Sequence, residues 1–239
     1  MSRVSDLSLT GKVAIITGSG RPNGIGSAIA KTLAARGLFR NHKLHISDSS
    51  ASGAASVAET IRSEGGKATV VRADVGDKEE AERLVRETLL AFGTDKIDIL
   101  EITSVFSANL NGPFFLVQAA IPHMARNGRI INISTCLSRM GLHSPVYTAS
   151  KAALDSLTYT WALEFGKEYG ITVNTIAPGL TKTNKTPPND HPEVKRLLGL
   201  SRLEERMGTV DEIADAVLLV ASPLSGWITG QYISVSGGG

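Results

Sequence analysis

The fold is decided by the stretch TGSGRPNGIG, residues 17–26, which separates an apolar run from an alanine-rich run. The preceding KVAIIT is typical of a short buried strand, and a helical pattern begins at Ile25. A glycine-rich turn at this place lets the backbone approach a phosphate, and the following helix N-terminus offers free N–H groups. The turn therefore predicts nucleotide binding, unless it is a plain turn with incidental glycines. The candidate residues are Gly18, Arg21, Gly24, Ile25 and Gly26.

Short apolar runs alternate with longer helical patterns along the whole chain. Strands are expected at residues 12–17, 43–47, 68–72, 97–100, 129–134, 171–176 and 231–235. Helices are expected at residues 25–36, 54–63, 78–92, 104–125, 146–169 and 211–221. This order predicts an α/β, Rossmann-like doubly wound parallel sheet of about seven strands with helices on both faces, as a single domain over residues 1–239. Helix starts are expected at Asp77 and Thr209, and helix ends at Gly37, Gly65, Gly93 and Gly170.

Composition narrows the class of protein. The chain has 239 residues, a net charge of +2 and 42% hydrophobic residues, which is ordinary for a globular domain. Its basic residues are scattered, so no nucleic-acid partner is expected. No apolar run has the length of a membrane span, no signal peptide is evident, and the single cysteine, Cys136, fits a reducing compartment. A soluble, cytoplasmic protein is expected, with no residue assigned to a metal.

Acidic residues follow the second and third expected strands. Asp48 lies roughly 20 positions after the glycines, where a carboxylate hydrogen-bonds an adenosine ribose and repels a 2′-phosphate. It favours NAD over NADP, although Ser49, Ser50 and Arg21 could bind a phosphate and Asp48 could simply begin a turn. Asp74 could meet the adenine edge, or could be a solvated strand end.

The segment YTASK, residues 147–151, carries the predicted chemistry. Residues four apart in a helix share a face, so the Tyr147 phenol and the Lys151 ammonium are expected to lie together. A lysine charge lowers the pKa of a nearby phenol, which would let Tyr147 exchange a proton with a substrate oxygen during hydride transfer. The pair follows the fifth strand, at the edge where such sheets bind ligands.

Taken in order, these motifs resemble the short-chain dehydrogenase/reductase family over nearly the whole chain. The resemblance includes the glycine turn, Asp74–Val75, NLNG at 109–112, INIST before YTASK, VNTIAPG at 173–179 and ITGQ at 228–231. It implies an oxidoreductase that uses NAD or NADP on a small carbonyl or alcohol substrate and forms homodimers or homotetramers. It also implies a catalytic tetrad, in which Asn109, Tyr147 and Lys151 match the asparagine, tyrosine and lysine. Pro178, Gly179 and Thr183 match the segment that holds the nicotinamide.

The serine of the tetrad has two candidates. Counting along the strand from Arg129 favours Thr135, whereas counting back from Tyr147 favours Ser134. Successive strand side chains point to opposite faces, so only one can enter the site. Because a strand slips in register less readily than a loop changes length, Thr135 is preferred.

The chain departs from the family pattern most clearly after the fourth strand. Asn-Asn-Ala-Gly is expected there, but the chain runs IDILEITSVFSANLNG and lacks about a helix of sequence after Leu100. Asn109 is therefore expected unusually early in its helix. An alternative function follows: a catalytically impaired dinucleotide-binding protein, or a deletion variant of an enzyme.

Overall fold

In the computed structural model, the described residues are 9, 11–21, 23–35, 43–47, 51–102, 110–140, 145–184 and 186–239. Within them, seven parallel strands form one sheet in the order β3-β2-β1-β4-β5-β6-β7. The strands are β1 (Val13–Thr17), β2 (Lys43–Ser47), β3 (Lys67–Val71), β4 (Ile97–Ile102), β5 (Met124–Ile133), β6 (Thr172–Pro178) and β7 (Tyr232–Val235). The predicted α/β doubly wound parallel sheet is confirmed.

The described helices are α1 (Ile25–Ala35), α2 (Ala51–Ser63), α3 (Lys78–Phe92), α4 (Asn111–Ala120), α5 (Leu137–Met140), α6 (Pro145–Tyr169), α7 (Pro192–Leu198) and α8 (Val210–Ala221). They cover both faces of the sheet. Ile16 of β1 packs in a core with α1, α2 and α8, whereas its neighbour Ile15 packs in a second core with α3, α4 and α6. This alternation follows from the pleat of the strand, and it explains why β1 is apolar without interruption.

The strand order reverses between β1 and β4, because β2 and β3 lie on one side of β1 and β4 to β7 on the other. Open sheets of this kind bind ligands in the crevice at the carboxyl ends of the strands beside such a reversal. The residues that follow β1, β5 and β6 meet at that edge: Gly18, Ser134 with Thr135, and Gly179.

The expected helix at residues 104–125 is wrong at its C-terminal end. Helix α4 ends at Ala120, a 3₁₀ turn covers Ile121–His123, and β5 begins at Met124. Pro122 lies in that turn, and proline has no N–H to continue the hydrogen-bond ladder of an α-helix. Residues 103–109 lie outside the described residues, so the start of the expected helix is not placed.

Most expected helix ends are present. The Asp77 side chain accepts a hydrogen bond from the Glu80 N–H, and Thr209 with Glu212 forms a capping box. Gly93 ends α3 in the left-handed conformation, at φ 57°, and Gly65 and Gly170 also have positive φ values. Gly37 lies outside the described residues.

Candidate active site

The turn after β1 packs tightly against the first turn of α1. A Cβ atom on Gly26 would lie 2.7 Å from the Gly18 carbonyl oxygen, and a Cβ atom on Gly53 of α2 would overlap with the Gly20 carbonyl oxygen. Only glycine lets the backbone segments approach this closely. The N-terminus of α1 thereby faces the carboxyl end of β1, which is the arrangement that a dinucleotide pyrophosphate requires.

A cavity of about 330 Å³ lies along the carboxyl edge of the sheet. Ile25, the first residue of α1, lines one side, and residues that follow β6 line another. Its polar lining includes Ser134, Thr135, Tyr147 and Lys151, and its apolar lining includes Leu137, Met140, Leu180, Leu197, Leu198 and Leu200. The structure thus brings the sequence-predicted tyrosine, lysine and both hydroxyl candidates to one cavity, together with Pro178, Gly179 and Thr183.

Tyr147 lies in the first turn of α6, and its phenol interacts with the Thr135 hydroxyl. Burial raises the pKa of the Tyr147 phenol, because the phenolate loses solvation, and the hydrogen bond with Thr135 acts in the opposite direction. The expectation that Lys151 lowers this pKa differs from the structure, in which burial has the largest effect on the phenol.

Lys151 is 3% exposed, one helical turn after Tyr147. Its Nζ atom donates a hydrogen bond of 2.8 Å to the Ile133 carbonyl oxygen at the end of β5. Burial lowers the pKa of the Lys151 ammonium from 10.5 to about 8, against the negative charges of Asp155 and Glu101, which raise it. The ammonium is therefore directed to the end of β5, which the four-residue spacing alone did not predict.

The two hydroxyl candidates have different surroundings. Thr135 Oγ1 accepts a hydrogen bond of 3.3 Å from the Leu137 N–H and interacts with the Tyr147 phenol. Ser134 Oγ donates a hydrogen bond of 3.5 Å to the Lys151 carbonyl oxygen, on the helix that carries Tyr147. Of the two hydroxyls, the one in contact with the phenol belongs to Thr135.

Other predicted residues have mainly local contacts. Asp74 accepts a hydrogen bond of 2.9 Å from the Gly76 N–H, which is a turn contact, and its neighbour Val75 is buried. A Cβ atom on Gly112 would lie 3.1 Å from Val75 Cγ2, so Val75 supports the start of α4. Arg21 is exposed in the glycine turn.

Two predicted residues, Asp48 and Asn109, lie outside the described residues. Helix α4 begins at Asn111 within the described residues, and the expected place of Asn109 early in a helix stays a prediction.

Two carboxylates were missed by the sequence reasoning. Glu101 is fully buried near the end of β4, because this strand continues two residues beyond the expected Leu100. Asp155 lies one helical turn after Lys151, and the spacing of lysine and aspartate in KAALD was a signal that could have identified it.

Comparison with known proteins gives the family. Residues 96–239 match the family model described as enoyl-(acyl carrier protein) reductase. The chain is 37% identical over 256 residues to the short-chain dehydrogenase/reductase FrzI of Cladobotryum sp, covering 97% of this chain and 96% of the relative. The chain belongs to the short-chain dehydrogenase/reductase family. The relatives are named as dehydrogenases or reductases, so oxidoreductase is the class of enzyme that the comparison gives.

Other proteins are also similar to this chain along nearly its whole length. Versicolorin reductase 1 of Aspergillus parasiticus is 34% identical, covering 96% of this chain and 97% of the relative. A dehydrogenase/reductase from Sinorhizobium meliloti 1021 has a TM-score of 0.90 at 32% identity, covering 99% of this chain and 98% of the neighbour. A blue fluorescent protein from a metagenomic library, solved in complex with NADPH, has a TM-score of 0.87 at 30% identity, covering 97% and 98%.

The alignment with FrzI spans 256 positions, more than the 239 residues of this chain, so it includes positions that this chain lacks. Among the described residues, no helix combines the length and the apolar character needed to cross a bilayer.

Proposed function

We propose that this protein transfers hydride between NADP(H) or NAD(H) and a carbonyl or secondary alcohol, with Tyr147 as the acid–base group. One observation supports this activity above the others: the phenol of Tyr147, the hydroxyl of Thr135 and the buried ammonium of Lys151 line the same cavity. That cavity extends to Ile25, beside the glycine turn, so a dinucleotide bound at the turn could reach it.

The residues have complementary roles in carbonyl reduction. Tyr147 donates its proton to the substrate oxygen, and Thr135 holds that oxygen with a second hydrogen bond. The Lys151 ammonium stabilises the phenolate that forms on Tyr147 when the proton is donated. A nicotinamide held at this site would supply the hydride for the carbonyl carbon. In the oxidation of an alcohol, the Tyr147 phenolate accepts the proton instead.

The cofactor would bind at the carboxyl ends of the strands. The tight turn at Gly18, Gly24 and Gly26 and the N-terminus of α1 would hold the pyrophosphate, and Pro178, Gly179 and Thr183 would hold the nicotinamide. Of the two dinucleotides we propose NADP(H), because a structural neighbour binds NADPH and Arg21 lies exposed in the turn. The expectation of NAD, which rested on Asp48, gains no support from that neighbour.

The substrate is proposed to be a neutral, largely apolar ketone. Five leucine side chains and one methionine side chain line the cavity that contains Tyr147. Arg206 also lines it, but its guanidinium is paired with Glu204 and Glu212 at 2.7 Å each. An anionic substrate would therefore compete with two carboxylates for this arginine, whereas an apolar ketone requires no charged partner.

A second function remains open: dinucleotide binding without turnover. The sequence favours it, because Asn109 is expected unusually early in its helix, whereas the family implies an asparagine that serves the proton relay. The absence of Asn-Asn-Ala-Gly after β4 favours it too.

Calorimetry with NADPH and NADH, followed by turnover with a panel of apolar ketones, separates the two functions. The proposed enzyme binds NADPH and consumes it only when a ketone is present. Binding without consumption by any ketone would favour the non-catalytic function, and the absence of binding would contradict both.

A further inference from the structure

A group of polar side chains lies behind the active site, on the side away from the cavity. It joins three elements, and we call it the anchoring cluster: Ser138 of α5, Asp155 of α6 and Tyr232 of β7. The Ser138 Oγ atom lies 2.7 Å from Asp155 Oδ2 and 3.4 Å from the Tyr232 hydroxyl. These residues are separated by up to 94 positions in the sequence, so the fold itself creates the cluster.

The anchoring cluster holds the backbone of Thr135. The Thr135 carbonyl oxygen accepts a hydrogen bond of 3.0 Å from the Tyr232 hydroxyl, and Ser138 Oγ lies 2.8 Å from the same oxygen. The Thr135 side chain, on the other side of this residue, contacts the Tyr147 phenol. A shift of the cluster would therefore move the hydroxyl that is proposed to hold the substrate oxygen.

Asp155 connects this cluster to Lys151. The two residues are four apart on α6, and the negative charge of Asp155 favours the charged form of the buried Lys151 ammonium. The carboxylate also contacts the C-terminal end of the turn that contains Thr135, through Ser138. The Asp155 carboxylate thus contacts the cluster that holds Thr135 and also acts on the charge of Lys151.

We propose that Asp155 is a positioning residue for the reaction: its carboxylate anchors the Thr135 turn through Ser138, and its negative charge supports the Lys151 ammonium. This inference rests on the proposed function of Thr135 and Lys151. Asp155 acts through these residues and does not itself reach the cavity lining.

Several groups act on the pKa of the Asp155 carboxyl. Burial raises this pKa above its ordinary value, whereas the hydroxyls of Ser138 and Ser134 and the positive charges of Arg139 of α5 and Lys151 of α6 act in the opposite direction. The Arg139 guanidinium also lies 3.6 Å from the centroid of the Tyr232 ring, which keeps this cation beside the cluster. On the β4 side, Glu101 is the other carboxylate that acts on Lys151.

The first test is the pH profile of kcat for ketone reduction in Asp155→Asn, which keeps the shape of the side chain and removes its charge. Lys151 then loses its proton at a lower pH, so the alkaline limb of the profile moves down by on the order of one pH unit. Glu164→Gln removes an exposed carboxylate from the same helix and serves as the control, with the profile of the wild type. An unchanged profile in Asp155→Asn overturns the proposal.

Ser138→Ala tests the anchoring role separately. This variant keeps the carboxylate but loses the link to the Thr135 turn, so kcat falls while the alkaline limb stays in place. A purely structural contribution of Asp155 would instead give the same loss of kcat in both variants with no movement of the limb, and would also overturn the proposal.

A double-mutant cycle keeps the inference testable if no ketone is reduced and the proposed function fails. The unfolding of Asp155→Asn, Lys151→Met and the double variant is compared at pH 7 and pH 10. Coupling equivalent to about a tenfold change in the unfolding constant is expected at pH 7. It should decrease at pH 10, where Lys151 is neutral. Additive effects at both pH values would refute the link between the two residues.

Discussion

The burial of Lys151 makes the stability of this protein depend on pH in a defined direction. Its pKa is about 8 in the folded chain and 10.5 as its ordinary value. Between these values the unfolded chain binds more protons than the folded chain, so the free energy of unfolding rises as the pH rises. Over the whole interval the increase corresponds to about 3 kcal/mol, since one pKa unit is worth about 1.4 kcal/mol.

The perturbation that tests this is Lys151→Met, which keeps an apolar stem and removes the titrating group. In urea denaturation, the free energy of unfolding of the wild type is expected to increase by about 2–3 kcal/mol from pH 7 to pH 10. The variant should lack most of this increase. Lys167→Met removes an exposed lysine from the same helix and should retain the wild-type dependence. Equal slopes for the wild type and Lys151→Met would refute the account of a buried, charged lysine.

Three further predictions concern the turn, the hydroxyl and a helix end. Gly26→Ala places a Cβ atom 2.7 Å from the Gly18 carbonyl oxygen and should weaken NADPH binding in calorimetry. The control is Gly166→Ala in α6, where the nearest atom to the new Cβ is 4.0 Å away and the affinity should not change. Equal NADPH affinities of the two variants would contradict the role of the tight turn. Thr135→Val should lower kcat by on the order of 10²-fold or more, and Thr135→Ser should restore it. A larger loss of kcat in Ser134→Ala would instead identify Ser134 as the hydroxyl that holds the substrate oxygen. Thr209→Ala removes the capping box of α8 and should lower the free energy of unfolding by about 1 kcal/mol with kcat unchanged. A loss of kcat without a loss of stability would contradict a purely capping role for Thr209.

The sequence was sufficient for the parts of the fold that depend on local pattern. Continuous apolar runs predicted the strands, and the turn chemistry of Asp77, Gly93 and Thr209 predicted helix ends, because each signal acts within a few residues. The glycine turn and YTASK were informative for the same reason: the spacing that defines them is short, and the alternation of strands and helices brings both to one edge of the sheet.

What the sequence did not predict depends on contacts between distant segments. The four-residue spacing of Tyr147 and Lys151 predicted a shared face, but not that the ammonium would donate to Ile133 across the gap to β5. The choice between Ser134 and Thr135 depends on strand register, which is fixed by pairing with β4 and β6. The anchoring cluster could not be predicted for the same reason, since Ser138 and Tyr232 are 94 positions apart in the sequence and only the folded sheet brings them together.

The position of Asn109 stays a prediction. The motif NLNG matches the family at residues 109–112, but Asn109 lies outside the described residues, and α4 begins at Asn111. The predicted homodimer or homotetramer stays a prediction, which light scattering of the purified protein can check.

The most direct test of the central claim compares Tyr147→Phe with Tyr159→Phe during ketone reduction by NADPH. Both tyrosines lie on α6, but Tyr159 is 71% exposed and lies away from the cavity, so it is a matched control. If Tyr147 is the proton donor, its variant loses on the order of 10²–10⁴-fold in kcat with unchanged NADPH affinity, while the control keeps wild-type kinetics. Equal activity of the two variants would contradict the assignment of Tyr147 as the acid–base group.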